Sequence, residues 1–449
     1  MIKTIRVANG QGFWGDSYFA PRELIDYGNI DYLTLDYLAE VTLSIMQRQK
    51  NKNSKLGYAL DFIDLIDEKF HSILDHNIKV VSNAGGVNPQ ECRKKILEIS
   101  KKHNRAIKVA IVIGDDICEK LDDLISEGES FDNLDTGENI DSIRSNVYSA
   151  NVYIDSFSVA DALALGADIV LCGRISDPGL VVAPCIYEFG WEREDYNKLA
   201  SSTVAGHIIE CGAQCSGGNF SRWHEVEDIS NIGYPIVEMN SDGSFIVTKD
   251  SKFGGLVNQF TVSEQILYEM GDPKCYISPD VCVDFTSFKI KELDSDKVYI
   301  DSVKGFQATD TFKVSMSYFA GYKASGQLTV SGPDAVKKAK LVSDIIFKRL
   351  KAAGFEFSET KIELLGLPYQ EKSESEFVDV LNEIVLRLSV KDKSKSKVNR
   401  FGMEIAPIIT SGPPGITGFS GGRPKAQEII AYWPTLIDKK NVSIKIDVI

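Results

Sequence analysis

The order of apolar and polar positions divides the chain into two regions. Over residues 1–270, short apolar runs such as Ile5–Ala8 and Ile107–Ile113 alternate with segments of 3.6-residue period, of which Ala59–Leu74 is the clearest. This alternation is typical of a mainly parallel sheet with crossover helices. We therefore predict an α/β lobe over residues 1–270.

After residue 270 the pattern changes to short alternating strands. A long amphipathic segment, Asp334–Ala353, follows them and predicts a helix, and a second helix is expected near Phe377–Leu388. Residues 271–449 are therefore expected to form a second, α+β lobe that ends in a Gly-rich loop and a helix. Between the first strands, the acidic stretch Glu119–Asp141 breaks the pattern and is interpreted as a solvated surface insertion.

Composition narrows the class of partner. The 449 residues include 64 acidic and 50 basic side chains, a formal net charge of −14. Nucleic acid and anionic membranes require clustered cations, so neither is expected as the main partner, whereas small molecules and a second copy of the chain remain. No long apolar stretch or leader precedes the first strand, and eight scattered cysteines indicate reduced thiols, so a cytoplasmic location is expected.

Polar residues follow five of the predicted strands, at the edge where ligands bind in open α/β sheets. One short loop alone could be a turn, but five such loops predict a common crevice. Asp16, Asp36, Glu40, Asp115 and Asp177 are candidate acid/base or metal-ligating groups. The candidate substrate-binding residues in these loops are Gly12, Trp14, Asn83, Gly85, Gly86, Asn88 and Arg174.

A further helix, predicted over Val204–Gln214, carries His207 and Glu210 on one face. His207 is the best-placed imidazole for proton transfer, and Glu210 is a second candidate catalytic group. Gln214 and Asn219 lie just beyond as candidate substrate-binding residues. The spacing falls short of a tetrahedral metal site, so a buried, hydrogen-bonded histidine is the alternative interpretation.

Two glycine-rich segments suggest other ligands. Gly10–Gly15 matches G-x-G-x-x-G, and Asp36 ends the next strand, which would suit a dinucleotide. Phe13 and Trp14 are bulky where a pyrophosphate must approach, which disfavours that interpretation. The second segment, Ser411–Pro424, carries Gly418 and Arg423 as candidate anion-binding residues, but it could equally be a tight crossover loop.

Several of these segments together resemble the acyclic terpene utilisation protein A (AtuA) family. The resemblance runs along the chain and rests on GQGFWGDS, LTLDYLAEVTLSIM, VVSNAGGVNP, ADIVLCGRISDP, AGHIIECGAQCSGGNF, GDPKCYISPDV and SGPPGITGFSGGRP. It implies a role in the catabolism of acyclic terpenoids through branched acyl-CoA intermediates. Longer family members look as though they carry a small ferredoxin-like C-terminal domain, so the resemblance also implies a separate small ferredoxin-like subunit as a partner.

These observations lead to three hypotheses. The first is a lyase- or hydratase-type enzyme that acts on a branched or hydroxylated acyclic carboxylate or its CoA thioester. Such an enzyme needs a general acid, a general base and hydrogen-bond donors for the carboxyl group of the substrate. The carboxylate residues could equally bind a divalent cation. The second is a non-catalytic subunit that binds an acyl ligand, and the third is an NAD(P)-dependent oxidoreductase. A homo-oligomer is expected in each case.

Overall fold

The computed structural model describes residues 2–38, 42–367, 381–418 and 421–449. The chain folds into two compact units: Met1–Ser317 with Tyr432–Ile449, and Tyr318–Ala431. The boundary lies inside a long strand and does not coincide with the expected boundary at residue 270. The reason is that the strands Lys289–Asp294 and Lys297–Asp301 belong to the large sheet of the first unit.

Strands and helices alternate through the first part of the chain, as the pattern predicted. The strands are β1 (Thr4–Asn9), β2 (Tyr32–Leu35), β3 (Lys79–Ser82), β4 (Val109–Ile113), β5 (Val147–Val152), β6 (Ile169–Cys172), β7 (Pro235–Asn240), β8 (Phe245–Lys249), β9 (Tyr276–Ile277), β10 (Cys282–Asp284), β11 (Lys289–Asp294), β12 (Lys297–Asp301) and β13 (Lys304–Phe306). The helices are α1 (Ala20–Tyr27), α2 (Thr42–Lys52), α3 (Leu60–Asp75), α4 (Pro89–Lys102), α5 (Leu121–Ser126), α6 (Ser156–Ala164), α7 (Gly179–Phe189), α8 (Tyr196–Ile209) and α9 (Gln259–Leu267).

The rest of the chain contains longer strands and fewer helices. Its elements are β14 (Thr311–Ser331), α10 (Ala335–Ala352), β15 (Glu359–Leu365), β16 (Glu383–Asp392), α11 (Lys395–Ile405), α12 (Ile408–Ser411), β17 (Ile416–Thr417), β18 (Gln427–Asp438) and β19 (Lys445–Val448). None of the helices in the described ranges is long and apolar enough to cross a lipid bilayer.

The large sheet of the first unit is mixed. Its order is β11-β12-β8-β7-β1-β2-β3-β6-β4-β19. The five strands from β1 to β4 in this order are parallel to one another, whereas the pairs on both flanks are antiparallel. The α/β class is therefore confirmed, but a mainly parallel sheet is not. The parallel block brings the carboxyl ends of β1, β2, β3, β6 and β4 to one edge.

The parallel block forms because its strands are apolar on both faces and its helices cover them. β2 and β6 are fully buried along their length, as expected of strands between two helical layers. The predicted stripe on α3 is also buried, with Phe62, Ile66 and Phe70 in the core. Burial of each such side chain stabilises the unit by roughly 1.5–3 kcal/mol.

The acidic insertion is not wholly solvated. Phe131 within it is fully buried, and its carbonyl accepts a 2.9 Å hydrogen bond from Nε1 of the buried Trp433. Thr435 donates a second hydrogen bond of 2.9 Å to the carbonyl of Asp132. The end of the chain thus anchors the middle of the insertion to the first unit.

The second unit is a small α+β fold. β16 pairs antiparallel with β14 on one side and β15 on the other, and α10 and α11 contribute to its apolar core. The expected helix near Phe377–Leu388 is wrong where it can be compared: residues 383–392 form β16, because Ile384, Leu386 and Leu388 alternate inward with period two. Residues 368–380 lie outside the description. The Gly-rich segment leads into β18, not into a helix.

Candidate functional site

A cavity of about 420 Å³ lies in the first unit, and we call it the site cavity. One part of its wall is mostly apolar or aromatic, with Leu134, Tyr276, Ile277, Pro279, Phe312 and Leu436. The other part carries ionisable groups, namely Asp177, His207, Glu210, Glu269 and Lys313. Tyr153, Ser176, Ser278, Thr309 and Thr311 complete the lining.

The carboxyl ends of β2 and β3 are joined by hydrogen bonds next to this cavity. Asn83 Nδ2 donates to Asp36 Oδ1 at 2.7 Å, and Asn83 Oδ1 accepts from the backbone of Tyr37 at 2.7 Å. Both side chains are buried. Burial, followed by the negative charge of Asp177, raises the pKa of Asp36 to about 7, although Arg174 and Asn83 act in the opposite direction.

The ends of β4 and β6 are joined in the same way. Asp115 Oδ2 accepts 2.9 Å hydrogen bonds from the backbone of Arg174 and from Asn151 Nδ2. Burial raises the pKa of Asp115 to about 6. Gly173 is required here, because a Cβ at this position would lie 2.0 Å from Asp115 Oδ1. Asp115 therefore braces the loop that carries Arg174.

Arg174 is a buried cation behind the cavity wall. Its Nη2 donates to Tyr153 Oη at 3.0 Å, and its Nη1 lies 2.9 Å from Asp177 Oδ1. Its Nε has no hydrogen-bond partner among the described residues. Asp177 is 37% exposed, so Arg174 holds a carboxylate that a ligand can reach.

His207 and Glu210 face the cavity from the end of α8. His207 Nδ1 lies 3.5 Å from Glu210 Oε1, too far for a good hydrogen bond. Neither ring nitrogen of His207, nor Glu210 Oε2, has a hydrogen-bond partner in the described part of the chain, although all three atoms are buried. Backbone groups at Gln265, Ile266 and Tyr268 nevertheless oppose the effect of burial on the pKa of the imidazole, so the alternative of a buried, hydrogen-bonded histidine stays a prediction.

Burial shifts the pKa values of His207 and Glu210 in opposite directions. Burial lowers the pKa of His207, which favours the neutral imidazole. Burial, then the charges of Asp177, Asp36 and Glu269, raises the pKa of Glu210 well above its ordinary value, which favours the protonated acid. The two shifts thus favour a neutral imidazole beside a protonated carboxyl group in one cavity.

Asp16, Gly12 and Trp14 were predicted for the same crevice but lie elsewhere. Asp16 lines a second cavity of about 250 Å³, and Gly12 and Trp14 lie beside it. We call it the loop cavity; Gln11, Asp16, Tyr18, Arg22, Tyr37, Asp61 and neighbouring residues line it. Asp16 accepts from Tyr234 Oη at 2.7 Å and from the backbone of Gly12 at 2.9 Å. Trp14 Nε1 donates to Asp61 at 3.0 Å. Asp16, Gly12 and Trp14 therefore have structural partners of their own.

The Gly10–Gly15 segment lacks the arrangement of a dinucleotide loop. The following helix, α1, begins only at Ala20, so the glycines do not open it. Gly12 instead packs against another loop, since a Cβ there would lie 3.0 Å from the carbonyl oxygen of Glu210. This contact supports the backbone at one end of the site cavity.

The remaining predicted residues lie outside the site cavity. Asn88 donates to the carbonyls of Ser54 and Leu56, and Gly85 and Gly86 fit tight contacts with Pro89 and Met46. Gln214 and Asn219 hydrogen-bond to each other at 3.2 Å beside a small cavity near α9. Gly418 and Arg423 are exposed residues of the second unit. Glu40 lies outside the described residues.

Several residues that line the site cavity were not predicted, because they do not follow a parallel strand. Tyr153 comes after β5, Tyr276 lies in β9, and Phe312 and Lys313 lie in β14. The motif GDPKCYISPDV, which contains Tyr276, was the one available signal for this wall. No group of three or more His, Cys, Asp or Glu side chains among the described residues is arranged to hold a metal ion.

The fold and site define a class: an α/β protein with a partly apolar cavity and perturbed ionisable groups near the carboxyl ends of parallel strands. The family model described as acyclic terpene utilisation family protein AtuA matches residues 5–448, so the chain belongs to this family. Neither the curated proteins nor the solved structures contain a match.

Proposed function

We propose that this protein is an enzyme of acyclic terpenoid catabolism that performs lyase- or hydratase-type acid–base chemistry on a branched acyclic carboxylate or its thioester. The observation that carries the proposal is the unpaired, buried pair of His207 and Glu210 at the wall of an apolar cavity. Buried polar atoms without partners are uncommon in folded proteins and concentrate at functional sites.

The pair supplies both groups that hydration or elimination requires. In an elimination, His207 as the neutral base takes the proton from the carbon next to the carboxyl group. Glu210 as the protonated acid gives its proton to the departing hydroxyl, which leaves as water. Hydration is the same sequence in reverse. Asp177, held by Arg174, is a candidate to hold a hydroxyl group of the substrate.

The rest of the cavity suits an apolar chain with an acidic end. Leu134, Ile277 and Leu436 offer surface to a branched hydrocarbon, and about 420 Å³ is within the usual range for small-molecule sites. Lys313 is exposed at the lining, and its ammonium lies 5.1 Å from the centre of the Tyr153 ring. No ion pair among the described residues includes Lys313, whose ammonium faces an aromatic ring instead, so it is available to a carboxylate.

The decisive experiment is hydrogen exchange at the substrate carbon. Citronellate, octanoate and their CoA thioesters are first screened for a rise in Tm, which a ligand of the native state produces. Each binder is then incubated with the protein in deuterium oxide, and deuterium uptake beside the carboxyl group is followed by NMR. We expect uptake with wild type, and a loss of at least about 100-fold in His207→Gln.

His103→Gln is the matched control. His103 is a partly buried residue at the end of α4 that contacts Asp67 at 2.8 Å and does not line the site cavity. It should exchange at the wild-type rate. Uptake that survives His207→Gln would refute the proposed base. Binding of these probes without uptake or turnover would favour the second hypothesis, a ligand-binding subunit that works with a small ferredoxin-like partner.

A further inference from the structure

Two thiols lie close together at the edge of the site cavity. Cys275 Sγ and Cys282 Sγ are 3.6 Å apart. Cys282 in β10 pairs with Ile277 in β9, and Cys275 precedes Ile277 by two residues. Side chains two residues apart on a strand share a face, so both thiols point to the same side of this hairpin. The pairing register thus accounts for their proximity.

The two thiols differ in access to solvent. All eight cysteines lie in the described part of the chain, and Cys275 is the exposed one, whereas Cys282 is buried. An oxidant reaches an exposed thiol first, and a neighbouring thiol can then resolve the product. Proximity and unequal exposure are the two features of a pair that forms a disulfide in two steps.

We propose that Cys275 and Cys282 form a reversible disulfide when the protein meets a peroxide. The Cys275 thiolate attacks hydrogen peroxide, which breaks the O–O bond and gives a sulfenic acid and hydroxide. The Cys282 thiolate then attacks the Cys275 sulfur, the S–S bond forms, and a second hydroxide leaves. With the two thiol protons, the balance is two thiols and one peroxide to one disulfide and two waters. A dithiol reductant reverses the step.

The bond would reshape the site cavity. Six residues separate the two cysteines, and the first four of them, Tyr276 to Pro279, line the cavity. A disulfide holds its sulfurs at about 2.05 Å, so closure from 3.6 Å draws the two residues closer together. The side with the weaker restraint is the Cys275 side, since residues 271–275 are exposed, whereas Lys439 Nζ holds the carbonyl of Pro279 at 2.8 Å.

This movement would also affect His207. The His207 and Tyr276 rings lie 5.6 Å apart between their centres. A shift of β9 therefore changes the surroundings of the imidazole. Oxidation would then alter the cavity whether or not His207 is a base, so the inference stands independently of the proposed function.

The first test counts thiols in the full chain. The protein is treated with hydrogen peroxide, quenched, unfolded and alkylated, and its peptides are mapped by mass spectrometry. We expect the alkylated thiols to fall from eight to six, with one cross-linked pair of peptides containing Cys275 and Cys282, and dithiothreitol should restore all eight. Cys275→Ser should form no cross-link, whereas the control Cys118→Ser should still lose two thiols.

The second test follows the His207 ring signal by NMR, assigned by its absence in His207→Gln. Peroxide should shift this signal in wild type and in Cys118→Ser, but not in Cys275→Ser. Two results would overturn the proposal: oxidation of Cys275 to a sulfinic acid while Cys282 stays alkylatable, or a dithiothreitol-reversible loss of two thiols in Cys275→Ser as well. An intramolecular disulfide with an unmoved His207 signal would overturn its link to the cavity.

Discussion

The site cavity and the loop cavity both draw polar side chains from the same edge of the sheet, yet those side chains are in opposite states. In the loop cavity, Asp16 holds two donors and Arg22 contacts Glu68 at 2.7 Å. In the site cavity, His207 and Glu210 leave buried polar atoms without partners in the described residues. The two cavities therefore differ in whether their buried polar atoms have hydrogen-bond partners. Polar groups with partners, as in the loop cavity, support the structure, whereas those without partners, as in the site cavity, are candidates for chemistry.

The difference has an energetic meaning. A buried polar atom without a partner costs roughly 1–3 kcal/mol of stability, and the protein carries several such atoms around one cavity. Asp16 and Trp14, at the loop cavity, do not reduce stability in this way, because their polar atoms form hydrogen bonds. We therefore expect substitutions in the site cavity to affect turnover, and substitutions in the loop cavity to affect stability.

The largest effect is expected from Glu210→Gln. Gln has nearly the shape of the protonated acid but cannot donate a carboxyl proton, so turnover should fall by about 100- to 10,000-fold while the fold is retained. Circular dichroism measures retention of the fold, and the rate of water loss from a 3-hydroxyacyl probe measures turnover. Glu264→Gln is the control, because Glu264 contacts Ser221 away from the cavity. Equal rates in the two variants would remove Glu210 from the mechanism.

The next effect concerns stability against pH. The pKa of Asp36 is raised to about 7 by burial, so its contribution is fully present below about pH 4 and is lost as pH rises through about 7. Asp36→Asn cannot ionise. Relative to wild type, the variant should gain on the order of a few kcal/mol between pH 4 and pH 7.

Urea unfolding of both proteins across this range measures the gain. A constant difference between the two unfolding free energies would mean that Asp36 titrates normally in the folded state. Asp26→Asn is a suitable control, since Asp26 forms a partly exposed surface pair with Lys69 and should leave the pH profile nearly unchanged.

A smaller effect is expected in the loop cavity from Asp16→Asn. The amide group replaces one acceptor oxygen and leaves either Tyr234 Oη or the Gly12 N–H facing a donor, which costs about 1–3 kcal/mol. Chemical unfolding should register this loss, while turnover per folded molecule stays near wild type. A collapse of turnover in a fully folded variant would erase the distinction between the two cavities.

The smallest effect is expected from Lys313→Met. The ammonium makes no ion pair with a described residue, in contrast to Arg22, so its removal should leave stability unchanged. The Kd of octanoate should rise about fivefold, corresponding to about 1 kcal/mol, and that of octanol should not. Lys313→Arg should bind like wild type. Equal Kd values for octanoate in wild type and Lys313→Met would mean that the carboxylate binds elsewhere.

Much of the fold could be predicted from local periodicity. The stripe on α3 and the buried run of β4 each identify their element, because one face or both faces must be apolar. The antiparallel flanks could not be predicted, since β7 and β8 carry the same apolar signal whichever direction they run. β16 was mistaken for a helix because a short run of apolar residues fits both periods.

The site could be predicted only in part. Asp36, Asn83, Asp115 and Arg174 lie near one another because they follow parallel strands, whose ends meet regardless of the loops, but they do not line the site cavity, and their roles stay predictions. The same rule also placed Asp16 in this crevice, whereas Asp16 lines the loop cavity. The rule does not specify the direction in which the loop after a strand runs. The wall from β9 and β14 depends on contacts between residues far apart in sequence, such as His207 and Tyr276, which no local pattern encodes.

The most direct test of the account is an NMR titration of the His207 ring, with His207→Gln to assign its signal. Burial lowers the pKa of this imidazole, so we predict that it stays neutral as the pH falls through about 6.5, the ordinary value for histidine. Addition of a ligand that binds the cavity should then shift its resonance. A His207 that becomes charged near pH 6.5 and ignores every such ligand would contradict the central claim that this residue is the base of a catalytic cavity.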